Sequence, residues 1–336
     1  MTTLALILGC AGPGLSREEV AFFREVRPWG FILFKRNVES PDQVRALTAA
    51  LREAVGRDDA PILIDQEGGR VQRMGRPHWQ PYPAGRTYLR AGGPEAGPAL
   101  AGLGARLMAH DLASVGINVD CAPVLDVPVA GAHDIIGDRA YGTDPAVVAA
   151  FGRAVAEGLM AGGVLPVVKH MPGHGRAGAD SHHDLPVVEA GLADLDGHDF
   201  APFRALADLP MAMTAHVVFT ALDPAHPATT SARVIGEVVR GRIGFDGLLM
   251  TDDLSMKALA GGFRERAAAA FRAGCDVGLH CNGVRAEMEE VVAAAPALAG
   301  EALRRARAAL ARLAPAAGFD PAEARARLDA GLAAAA

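Results

Sequence analysis

Eight short apolar runs recur along this chain, at residues 4–8, 30–34, 61–64, 117–120, 164–168, 211–215, 247–251 and 276–280. Each is too short for a helix. Together they are rich in leucine and β-branched residues on both faces, as parallel strands are when both sides of the sheet are covered. Between them, residues 16–26, 41–55, 96–115, 145–161, 192–207 and 264–273 have the apolar spacing and capping residues of amphipathic helices. Eight strands alternating with helices predict a single (β/α)8 TIM-type barrel. A doubly wound sheet is the competing architecture, but the glycine run after the first strand, Gly9-Cys10-Ala11-Gly12-Pro13-Gly14, lacks the last glycine of a dinucleotide fingerprint, and Pro13 removes an amide donor. No linker or composition shift divides the chain, so residues 1–336 are expected to form one catalytic barrel domain. The alanine-rich residues 296–336 are expected to add one or two helices packed on its outside.

Composition narrows the function. A chain of 336 residues that is half hydrophobic can bury a large core. A net charge of −6 without a dense basic run leaves no footprint for nucleic acid. No window is long and apolar enough to span a bilayer, and the opening residues lack the basic region of a secretory signal. Cys10, Cys121, Cys275 and Cys281 show neither metal spacing nor a disulfide framework. A soluble cytoplasmic protein is expected, with a small-molecule substrate, no nucleic-acid or membrane partner, and a monomeric state by default.

A parallel barrel carries its active site at the carboxyl ends of its strands, and the residues just past the apolar runs are not random. They include Asp65-Gln66-Glu67-Gly68-Gly69-Arg70-Val71-Gln72-Arg73, Asp120 and Asp126, Arg139, the stretch from Lys169-His170 to Asp180-Ser181-His182-His183, His216, and Thr251-Asp252-Asp253. Each has a plainer explanation: Asp65 or Asp253 as a helix cap, Arg73 and Arg139 as surface arginines, His216 as a satisfied core histidine. Their convergence on one rim favours a binding site. Carboxylates, cations and histidines mixed in this way suit sugar hydroxyls.

The segments Asp65–Arg73, Lys169-His170-Met171-Pro172-Gly173-His174-Gly175, Asp180-Ser181-His182 and Thr251-Asp252-Asp253-Leu254-Ser255-Met256, in this order, resemble those of bacterial β-N-acetylglucosaminidases of glycoside hydrolase family 3. The likeness is closest to the single-domain cytoplasmic members that act in peptidoglycan recycling. It implies a retaining exo-β-N-acetylglucosaminidase that hydrolyses terminal β-linked GlcNAc, with GlcNAc-1,6-anhydroMurNAc, with or without its peptide, as the substrate. It assigns the nucleophile to Asp252, with Asp253 as competitor, the acid/base to His182 and the dyad partner to Asp180. The sugar contacts fall to Asp65, Arg73, Arg139, Lys169 and His170. Residues 173–179, rich in Gly and Ala, would let the dyad swing, while His174 and His183 shape the loop.

A histidine acid/base leaves open a retaining phosphorylase, because a neutral base does not repel an anionic acceptor. A non-catalytic muropeptide-binding protein is another alternative, although it should lack the nucleophile or the dyad. A zinc hydrolase is disfavoured: the early strands show no His-x-His pair, and Lys169 beside His170 would repel a cation. Neither metal nor cofactor is expected.

Overall fold

The structure is a computed structural model that describes residues 2–178, 181 and 185–333. Eight parallel strands close into a barrel in chain order. They are β1 (Leu4–Gly9), β2 (Pro28–Leu33), β3 (Ile62–Ile64), β4 (Val119–Asp120), β5 (Leu165–Met171), β6 (Met211–Thr214), β7 (Leu248–Asp253) and β8 (Val277–His280). Closure is made where Leu6 pairs with Gly278 and Leu8 with His280. The predicted fold class is therefore the observed one.

Alternation along the strands sorts the core into two layers. Ala5, Ile7, Ile32, Leu63, Val167 and Met250 point into the barrel. Leu6, Leu8, Phe31, Ile62, Val168 and Leu249 point outward against helices. Each fully buried side chain of this kind contributes about 1.5–3 kcal/mol. The helices start where the sequence places caps. Ser16 and Glu19 form a capping box at Arg17–Val26, and Ser40 and Asp144 accept amide bonds ahead of Pro41 and Pro145, which open the helices Pro41–Val55 and Pro145–Ala161.

Several boundaries differ from expectation. β5 and β7 run further than their apolar runs, so Lys169, His170, Asp252 and Asp253 belong to strand ends rather than loops. The helix Gly85–Ser114 begins earlier than residue 96 and breaks at Gly93, whose φ of 62° is left-handed. Residues 192–207 form two short α-helical pieces, Leu192–Asp194 and Ala201–Ala205, around a π-helical turn at Leu195–Asp199. A helix unforeseen in the sequence, Val234–Arg242, follows β6. Near the C-terminus, Gly300–Leu310 does not lie on the barrel's outside. Its Ala306 and Ala309, with Leu298, pack on the inward-facing strand residues and close the amino-terminal mouth. Pro321–Ala333 packs outside against Gly85–Ser114.

Candidate active site

The first part of the site is a hairpin after β3. Gln66–Gly68 pairs antiparallel with Val71–Gln72 through a turn at Gly68 and Gly69, both at positive φ. A Cβ on Gly68 would strike the carbonyl oxygen of Pro83, so only glycine fits. The buried Gln66 amide staples the hairpin, accepting from the backbone N–H of Arg73 (2.9 Å) and Met74 (3.0 Å) and donating to the Met74 carbonyl (2.8 Å). Arg73 is thereby returned to Asp65, where its Nη2 donates to Oδ2 at 3.1 Å, and its guanidinium lies 5.1 Å from the centre of the Phe34 ring.

Lys169, from β5, is 2% exposed and joins two carboxylates, with Nζ 2.8 Å from Asp65 Oδ1 and 2.6 Å from Glu67 Oε1. Arg139, from the loop after β4, grips Glu67 with both Nε and Nη2 at 2.8 Å. Burial opposes ionisation of both acids, but the Lys169 and Arg73 charges outweigh it at Asp65 and hold that carboxyl far below its ordinary range. At Glu67, Lys169 and Arg139 do the same and bring the carboxyl to about 2. Burial likewise disfavours the Lys169 cation, yet Asp65 and Glu67 push its pKa up. Glu67 stands in the Asp65–Arg73 stretch without a role assigned from sequence; a buried lysine needs a counterion, and the nearest carboxylate beyond Asp65 is the signal that points to it.

A second carboxylate of this kind is Asp126, fully buried in the loop after β4. It accepts from the backbone N–H of His174 (2.7 Å) and His170 (3.2 Å), and its Oδ2 lies 2.7 Å from His170 Nδ1. Burial raises its pKa, but the His170 ring and these donors outweigh that and keep the carboxyl low. An ionised Asp126 is acceptor-only, so His170 carries its proton on Nδ1. His174 stacks edge-on to His170 and reaches Ser181 Oγ at 3.1 Å. Burial, then the His170 ring, brings its pKa to about 4, so it is neutral near pH 7.

The two acids ending β7 have different surroundings. Asp253 is committed to its own turn: it accepts from Ser255 N (3.0 Å), Ser255 Oγ (2.5 Å) and Cys281 N (3.1 Å). Asp252 takes a single bond, from Asp253 N–H to Oδ1 at 2.7 Å, and its Oδ2 has no hydrogen-bond partner among the described residues. Burial opposes its charge, but the rings of His216 and His170 outweigh that and keep its pKa low. His216 is a satisfied core histidine, 0% exposed and bonded to Thr229 and to the Asp253 carbonyl.

These groups face one cavity of about 250 Å³. Asp65, Arg73, Arg139, Lys169 and His170, the five residues expected to hold sugar, all line it, as do Asp252, Glu67 and Ser181, over an apolar floor of Ile32, Met213 and Leu279. Asp180, His182 and His183 lie outside the described residues. Among the described residues, no three His, Cys, Asp or Glu side chains are placed to hold a metal ion, and no helix is long and apolar enough to cross a membrane.

Comparison with known proteins shows the family. Residues 15–314 match the family described as "Glycosyl hydrolase family 3 N terminal domain". The beta-hexosaminidase of Alkalilimnicola ehrlichii is 43% identical over 282 residues, 82% of this chain and 80% of the relative. NagZ from Neisseria gonorrhoeae, solved with N-trifluoroacetyl-D-glucosamine, aligns with a TM-score of 0.85 at 30% identity, covering 100% of this chain and 98% of that one. A glycoside hydrolase family 3 β-N-acetylglucosaminidase from Paenibacillus sp. aligns with the same TM-score at 32% identity, over 97% of this chain and 67% of the other. The chain belongs to glycosyl hydrolase family 3 and is a glycoside hydrolase of its β-hexosaminidase branch.

Proposed function

We propose that the enzyme is a retaining exo-β-N-acetylglucosaminidase with Asp252 as nucleophile and His182, oriented by Asp180, as acid/base. The observation that carries this reading is the carboxylate of Asp252, which has one oxygen unengaged among the described residues and lines a small cavity otherwise fitted with charges suited to sugar hydroxyls. Asp252 attacks the anomeric carbon as the glycosidic C–O bond breaks, and His182 gives its proton to the departing oxygen. Water then attacks the glycosyl ester, its proton passes to His182 and Asp252 leaves, so two inversions retain the β configuration. Ser181 supports the dyad assignment: it lies between Asp180 and His182 in sequence and lines the cavity.

The neighbour solved with an N-acylated glucosamine supports GlcNAc as the sugar. A cleft of about 990 Å³ adjoins the cavity, sharing Arg70 with it and carrying Arg86 and Arg90. Those arginines suit the carboxylates of a muramic-acid leaving group, which supports GlcNAc-1,6-anhydroMurNAc, with or without peptide, and a role in peptidoglycan recycling. Free buried cysteines support a reducing compartment, the cytoplasm, and the enzyme is read as a monomer that uses no cofactor.

The test is to trap the glycosyl-enzyme with a fluorinated GlcNAc and map the labelled peptide. The label is expected on Asp252, and Asp252→Ala is expected to abolish cleavage of an aryl β-N-acetylglucosaminide. Label on Asp253, or near-normal turnover by Asp252→Ala, refutes the assignment.

A further inference from the structure

Behind Asp252 lies a group of buried hydroxyl and imidazole side chains that are not part of the lining of its cavity. Asp252 N–H donates to Thr214 Oγ1 at 3.3 Å. Thr214 Oγ1 is 2.7 Å from Thr229 Oγ1, which is 2.7 Å from His216 Nδ1. His216 Nε2 is 3.0 Å from the Asp253 carbonyl oxygen, which returns the path to the same strand end, at the peptide after Asp253. Thr214 is 1% exposed, and Thr229 and His216 are 0% exposed, so no solvent competes for these bonds.

The direction of each bond follows from what each atom can do. A carbonyl oxygen only accepts, so Nε2 carries the imidazole proton. Burial disfavours the imidazolium and keeps the pKa of His216 low, which leaves Nδ1 as an acceptor. Thr229 must then donate to Nδ1, and Thr214, already accepting from Asp252 N–H, donates to Thr229. The Ala215 carbonyl, 3.1 Å from Thr229 Oγ1, is the competing acceptor, but the imidazole nitrogen is nearer.

We propose that Thr214, Thr229 and His216 form a closed, one-directional ring of hydrogen bonds that grips the backbone on both sides of the Asp252–Asp253 peptide, at Asp252 N–H and the Asp253 carbonyl, and so positions the nucleophilic carboxylate. With the backbone held on both sides, Asp253 N–H restrains Asp252 Oδ1 and leaves Oδ2, which has no partner among the described residues, for the anomeric carbon. The three are positioning residues that touch no substrate, and the inference rests on the reading of Asp252 as nucleophile. Loosening such a ring degrades attack geometry more than ground-state binding.

Thr229→Val keeps the shape and removes the hydroxyl, whereas Thr229→Ser keeps the hydroxyl. With an aryl β-N-acetylglucosaminide, Thr229→Val is expected to lower kcat about 10- to 100-fold with KM within about twofold. Thr229→Ser is expected to recover most of the loss. Far-UV circular dichroism and the thermal midpoint establish the folded fraction. If Thr229→Val does not fold, His216→Gln, whose amide can still donate toward the Asp253 carbonyl, is expected to show the same fall in kcat at near-constant KM. A kcat close to wild type, an effect confined to KM, or equal losses in the Val and Ser variants would overturn the ring. Fluorosugar mapping of the wild type separates the two readings: label away from Asp252 defeats the nucleophile, whereas label on Asp252 with an unimpaired Thr229→Val defeats only the ring.

Discussion

Replacing Glu67 by glutamine should expose how much of the site's stability is electrostatic. Glu67 has a 5% exposed side chain and accepts from Lys169 at 2.6 Å and from Arg139 twice at 2.8 Å. Glutamine keeps one oxygen but presents an amide N–H to a donor that had an acceptor. A carboxyl brought from 4.5 to about 2 corresponds, at ~1.4 kcal/mol per tenfold, to about 3 kcal/mol of folding free energy at pH 7. Breaking a buried pair by removing one partner gives about 3–5 kcal/mol, a consistent range. Because the folded pKa is depressed, this stabilisation is fully present above pH 4.5 and is lost as pH falls toward 2. The gap between wild type and Glu67→Gln should therefore be about 3 kcal/mol in urea unfolding at pH 7 and roughly half that near pH 3, with little change in m. A gap below about 1 kcal/mol at pH 7, or one that does not narrow in acid, would refute the reasoning.

Two further outcomes are expected. Asp126→Asn turns an acceptor-only group into one that also presents N–H to His170 Nδ1, and with a hydrogen bond to a charged group worth about 1.5–3 kcal/mol, kcat/KM on an aryl β-N-acetylglucosaminide should fall about 10- to 100-fold; unchanged kinetics would show that Asp126 does not orient His170. The four cysteines are buried and free, and burial pushes their thiols up, Cys10 to about 12. Iodoacetamide at pH 8 should therefore leave the native protein unmodified by mass and alkylate all four after unfolding, and rapid native alkylation would contradict the burial.

The barrel was legible because each strand is a short apolar run with a helix or loop on either side, and that pattern survives in a single sequence. Strand ends were harder to read. Lys169 and Asp252 lie inside β5 and β7 although polarity marks the end of an apolar run: Lys169 is paired with Asp65 and Glu67, and Asp252 accepts from the next backbone N–H. The helix Gly85–Ser114 shows little amphipathic bias because Pro145–Ala161 packs on one side and Pro321–Ala333 on another, so more than one face is apolar. Asp65, Arg73, Arg139, Lys169 and His170 were legible as strand-end residues, and Glu67 and Asp126 stood among them, but the partners of these two were not legible. Both act through another side chain, and a counterion's role is visible only when the group it neutralises is seen beside it. Thr229 gave no signal, since a threonine in a short 3-10 turn resembles many others until the chain brings it to His216.

The cage around the cavity holds two carboxylates, Asp65 and Glu67, against three cations, Arg73, Lys169 and Arg139. Its charges are thus almost balanced before any substrate arrives. A neutral sugar can be gripped by fully ionised groups without bringing a counterion, so its capture depends little on ionic strength. On the proposed reading, a charged substituent at the same ring positions would break that balance, so the site would favour an uncharged pyranose through its own near-neutrality.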